Sequence, residues 1–289
     1  MRFALALAAA GAVLSGAGYA QAAPSVRIRS AVARAVVIPE ARSDILVTIV
    51  QSSHAFPLKV SRFGPDVYID GDVRSGMRGC HIRAGRPSVE VRGRGEVAWD
   101  DIPRLVIRTP PDVRLVAGDA VFGAMGRSRD VDFVNRGCGG WLIGNVAGRL
   151  RVSQSGSGWV RAGAADTADL SVAGSGRVST RAIARGLTAL STGAGAIEAA
   201  GVSGRLEARI AGSGDITVGA GRVTDMAASV AGSGNVRFGG VAGSLRAQVA
   251  GAGVVSAAAV NGPVVRRVFG AGKVLAGQPA SPFPGSPGR

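Results

Sequence analysis

Six carboxylates stand between Trp141 and Ala276: Asp166, Asp169, Glu198, Glu207, Asp215 and Asp225. Paired carboxylates are what glycoside hydrolysis needs, and a separation of about 6.5–9.5 Å suits an inverting pair. Glu198 and Asp215 come nearest to that pattern. They fall on successive sequence repeats, at outward positions offset by two residues, a diagonal of about 7–8 Å in a sheet. The turns beside them are too short to build cleft walls, so both read as solvated and no catalytic residue is assigned. The serines of the recurring Gly-Ser-Gly triplets fare no better as nucleophiles. Ser157, Ser175, Ser213 and Ser233 give way in register to Ala194, Ala252 and Ala271, a replacement that catalysis would not tolerate. There is no Gly-x-Ser-x-Gly elbow, and Ser179 stands where a dinucleotide fingerprint starting at Gly174 needs its last glycine. No cofactor is implied.

Metal chemistry lacks ligand spacing as well. Cys80 and Cys138 are the only cysteines and His54 and His81 the only histidines, too scattered for a zinc motif. In an exported chain an even cysteine count permits one disulfide, Cys80–Cys138, with two buried thiols as the alternative. Charge is more informative. The chain carries 34 basic against 19 acidic residues, a formal net charge of +15, and nearly all the basic residues are arginine. Arginine presents a planar fork suited to phosphate and carboxylate, so anionic envelope polymers or polysaccharides are the expected partners, against a plain alternative of solvated surface charge. Nucleic acid is not expected, because the aromatic interleaving of a single-strand platform is missing. Arg209, Arg246 and Arg267 are the candidate anion-binding residues. Arg246 shares its outward position with Arg151, and Arg209 and Arg267 share the position two residues further on.

The elements that place these side chains come from a repeat. Gly156, Gly174, Gly193, Gly212, Gly232, Gly251 and Gly270 follow at intervals of 18, 19, 19, 20, 19 and 19 residues. Gly137 stands 19 residues before Gly156, and Gly118 a further 19 before that. Aligned on this glycine, Trp141, Val160, Val178, Ile197, Ile216, Val236, Val255 and Val274 form one apolar column. Leu150, Ala168, Leu187, Leu206, Met226, Leu245 and Val264 form a second. Val172, Ile210, Val230, Val249 and Val268 form a third, broken by Gln154 and Ser191, and Val146, Ile183, Val202, Val241 and Val260 a fourth. Polar residues alternate with these, the period of a strand with one buried face. Short strands in about 19 residues, each stacking on its equivalent, predict an all-β, right-handed parallel β-helix, with the glycine corner as a backbone device. Aromatics make up only 4% of the chain, which suits thin, closely stacked layers.

The recurring "AGSGDI" and "AGSGNV" corners, behind a β-rich N-terminal segment, resemble the head GIN domain family of putative auto-transporter adhesins over roughly residues 30 to 276. The resemblance implies a parallel β-helical cell-envelope protein and supplies no catalytic residues. No C-terminal stretch reads as a translocator barrel. Residues 1–22 have the layout of a signal peptide, with one arginine, an apolar run and Ala20-Gln21-Ala22, so the mature chain is expected to be exported to the periplasm or cell surface without a transmembrane segment. Residues 23–110 are expected to form a β-rich cap, 111–276 the β-helix, and 277–289 a disordered Pro-rich tail. The "GRGEVAW" stretch from Gly93 reads as one further coil.

Overall fold

Small and β-branched side chains stacked over one another hold this molecule together. In the computed structural model, which describes residues 23–277 apart from 74–75, 84–85 and 94, Val178, Ile197, Ile216, Val236 and Val255 pair in succession, always in parallel. Leu187, Leu206, Met226, Leu245 and Val264 do the same on a second face. All of these but Val264 are buried. In the fourth column Val241 is only half-buried, and Ala242 takes the inward place after the register shifts between Val218 and Arg222. The result is a β-solenoid of about 9 turns at the expected spacing. The expected signal peptide at 1–22 and the expected disordered tail beyond Gly277 lie outside the described residues.

Each corner is built by contact between backbones. Gly212 adopts a φ of 131°, where a side chain would be strained. Two residues on, a Cβ at Gly214 would lie 2.3 Å from the Gly195 carbonyl oxygen of the turn below. Between them Ser213 is exposed, as are the serines and alanines at the same place in other turns. The N–H groups of Ser213 and Gly214 both donate to the Gly193 carbonyl, at 2.9 and 3.0 Å, and the same pair of bonds recurs from Ser233 and Gly234 to Gly212. Polar residues that interrupt the third column serve these corners. Buried Ser191 donates to the Gly195 carbonyl at 2.9 Å, and Asn135 donates to Gly139 O and to Gln154 Oε1 at 3.1 and 2.7 Å. The earliest corner departs from the count: Asp119, not Gly118, pairs with Gly137, because this turn is one residue shorter, and Asp119 itself adopts a φ of 59°.

Below that corner the order of the stack stops following the order of the chain. Ser25–Arg29 and Val32–Pro39 pair in parallel with Asp112–Met125 and form a turn beneath it. Asp66–Gly71 and Arg104–Thr109 add another parallel layer under those strands. Leu58–Phe63 and Leu46–Gln51 then pair antiparallel with this layer and cover the end. An end covered by reversed strands no longer presents the parallel template of the stack to another chain.

A separate antiparallel sheet of Met77–Arg83, Arg86–Val91 and Gly95–Val97 leans on the side of the solenoid. Val89, Val91, Val97, Phe56 and Ile102 pack there with Val32, Ala120 and Phe122. The stretch from Gly93 is therefore a hairpin strand rather than a coil: Gly93 and Gly95, at φ 78° and 70°, turn the chain back so that Val91 faces Gly95. Cys80 and Cys138 form a disulfide with a Cα–Cα distance of 5.7 Å, tying this sheet to a solenoid corner.

Candidate polyanion-binding face

Strand alternation sets the candidate site. Ala208, Ala228 and Ala247 point into the core, so the residues on either side of each point out. Across successive turns Arg209 pairs with Ser229, Ser229 with Gln248 and Gln248 with Arg267, while Glu207, Ala227, Arg246 and Val265 make the parallel row. Arg246 and Arg267 are diagonal neighbours. Ala227 and Ser229 are short, which leaves a surface depression of about 460 Å³ between Arg209 on one side and Arg246 and Arg267 on the other. The three arginines thus line one depression.

Their charges are not equally available. Arg209 is ion-paired with Glu207 two residues before it on the same strand. Arg246 and Arg267 are exposed and make no ion pair or side-chain hydrogen bond among the described residues, although the Arg246 charge also acts on the Asp225 carboxylate. Arg151, which shares the register position of Arg246, reaches Asp169 at 3.6 Å. On the strand face after the corner, Arg237 lies 3.6 Å from Asp215.

The carboxylates are engaged one by one. Asp166 pairs with Arg185, Asp169 with Arg149, Glu198 with Arg177, and Asp215 accepts from Asn235 Nδ2 at 2.8 Å. The Arg185 guanidinium holds Asp166 below the usual carboxylate range, and the Ser244 hydroxyl, followed by that of Thr224, does the same for Asp225. A general acid for glycoside cleavage needs the opposite shift. Glu198 and Asp215 thus face separate cationic or amide donors instead of a shared bond. Among the described residues no group of three or more His, Cys, Asp or Glu side chains could hold a metal ion, and no helix is long and apolar enough to cross a membrane.

A parallel solenoid with an arginine-lined outer face places the chain in the class of β-solenoid repeat proteins. Residues 145–260 match the model of the family described as putative auto-transporter adhesin, head GIN domain, the family that the corner motif resembles. The fold is shared with a putative lipid binding protein from Parabacteroides distasonis, at 16% identity and a TM-score of 0.58 over 88% of this chain and 92% of that one. A putative adhesin from Bacteroides fragilis is similar at 14% identity and a TM-score of 0.42, over 87% of this chain and 91% of that one. No curated protein matches the sequence.

Proposed function

We propose that this chain is a non-enzymatic, exported cell-envelope protein, an adhesin-like or scaffolding rod whose arginine-lined face holds anionic polymers. The observation that carries the reading is the gathering of Arg209, Arg246 and Arg267 around one depression, with Arg246 and Arg267 outside any ion pair among the described residues. A rigid stack fixes their spacing before any ligand arrives, which reduces the ordering cost of binding. The disulfide fits an oxidising compartment, in keeping with export. The non-catalytic part of the reading is supported by the carboxylates of the repeat, each of which stands against a donor of its own. Binding of polygalacturonate across a salt series tests it. Replacing Arg209, Arg246 and Arg267 together with Gln should weaken binding and flatten its salt dependence without lowering the melting temperature, since these side chains point outward. Equal affinity in that variant and in one altered at Arg237, on the other strand, would mean that the charge acts diffusely.

A further inference from the structure

A second surface feature lies on the strand face that follows the corner. One outward position can be traced up the stack. Arg34 pairs with Arg104 below it and with Phe122 above it, and Gly140 pairs with Trp159, which pairs in turn with Arg177. The pairing of Gly123 with Trp141 sets Phe122 beside Gly140 and closes the ladder. Its lower five residues, Arg104 to Trp159, span about 19 Å at the interstrand spacing of about 4.8 Å. The absence of a side chain at Gly140 is what shapes this surface. The Trp159 indole lies across that glycine, where a Cβ would come within 2.3 Å of its Cε2. Trp99, from the short turn Trp99–Asp101, forms the side wall and meets Phe122 edge-on at 5.4 Å between ring centroids. Between them is an open trough of about 440 Å³, floored by small residues such as Ala124 and Gly140.

Guanidinium groups accompany the rings. Arg34 stacks 5.3 Å from the Trp99 centroid and donates to Ile102 O and Gln51 Oε1, so it is part of the wall. Arg161 lies 5.2 Å from the Trp159 centroid. Arg104 is exposed on the trough lining and has no ion-pair or hydrogen-bond partner among the described residues. Flat apolar faces with one free guanidinium at the lower end of the ladder match a ligand that has flat C–H faces and a carboxylate. An acyl chain would want enclosure on all sides, which an open trough does not give.

We propose that this trough binds an acidic oligosaccharide, a short run of uronic acid residues, with sugar faces on Trp159 and Trp99 and a carboxylate on Arg104. The inference rests on the proposed envelope role only for where such a ligand is met; its residues are separate from the Arg246–Arg267 face. Tryptophan fluorescence tests it directly, because Trp141 is fully buried and the remaining indoles, Trp99 and Trp159, both line the trough. Tetragalacturonate should change the emission saturably and maltotetraose, a neutral α-1,4-linked tetrasaccharide, only weakly. Trp159→Ala should weaken tetragalacturonate binding about fivefold or more. Arg104→Gln, an exposed change that leaves packing untouched, should weaken it and abolish the preference over maltotetraose. The triple Gln variant of the other face should bind the tetrasaccharide as the natural chain does. Unchanged affinity in Arg104→Gln, equal binding of maltotetraose, or saturation of the signal by laurate but not by tetragalacturonate would overturn the proposal. Loss of tetrasaccharide binding in the triple variant, with Arg104→Gln unaffected, would also overturn it while leaving the polyanion face standing. Loss of polygalacturonate salt dependence in neither variant, with tetrasaccharide binding intact, would sink the polyanion face alone.

Discussion

Asp119 holds a corner position that glycine holds in the later turns, and it does so with a left-handed backbone. Burial pushes its carboxyl above the usual aspartate range, and hydrogen bonds from the Ser30 and Ala31 backbone pull only part of the way back. The folded state therefore binds this proton more tightly than the unfolded chain does. Its contribution is most favourable at low pH and is lost as pH rises through the folded pKa. Asp119→Asn keeps an acceptor and tolerates the left-handed region, so it should raise the melting temperature at neutral pH, with the gap closing as pH falls through the carboxylate range. Melts at several pH values would show this, and a gap that stays constant would refute it. Single residues elsewhere were readable in advance. Val236 was placed inward by its column and is 1% exposed, while Ser233 was placed on the corner and is exposed. Val236→Asp should cost several kcal/mol, because an unpaired carboxylate would sit between Ile216 and Val255. Ser233→Ala should leave the melt where it was.

Strands and corners between Gly137 and Gly270 were legible because each repeats a pattern that neighbouring turns confirm. The strand at Gly95–Val97 was not. Its Gly-Arg-Gly looks like a coil corner locally, and only the antiparallel partners at Arg86–Val91 and Met77–Arg83 distinguish it. This side sheet has few strands and a core that it shares with the solenoid, so its attachment matters. The disulfide closes a loop with a sequence separation of 58, which in the chain-entropy picture is worth about 4 kcal/mol. The oxidised protein should show no thiol to a labelling reagent in denaturant. On reduction, exchange should quicken in Met77–Val97 and stay slow in Ala196–Gly212. Quantitative labelling of Cys80 and Cys138 without reductant would rule the bridge out, and equal loss of protection in both regions would mean that sheet and solenoid melt together.

At the scale of the whole molecule, a turn beyond Arg149 touches the turns above and below it, so the stability of that part is close to a one-dimensional sum of neighbour terms. That geometry also decides what could be read in advance. Arg209, Arg246 and Arg267 come from a run of four repeats, with the repeat of Ala227 and Ser229 between the first two, and their meeting follows from counting. Phe122, Gly140 and Trp159 meet by the same counting, but Arg104 joins them only because Val32–Pro39 lies between two later strands, an order that no local pattern encodes. The two ends of the stack differ in kind. The N-terminal end is covered by antiparallel strands. At the other end the last described turn leaves Val265, Val268, Phe269 and Leu275 between 41% and 63% exposed. Opening a turn there breaks one interface, whereas opening an internal turn breaks two. Hydrogen exchange should therefore be fastest in Val264–Phe269 and Lys273–Ala276, slower in Asn235–Gly251 and slowest toward Arg177–Gly193. Val236→Asp should sharpen this gradient by releasing the turns from Asn235 to Ala276 while those below Gly193 keep their protection. A single uniform exchange rate across all of these strands, in the natural chain and in the variant alike, would mean that the stack opens only as one unit.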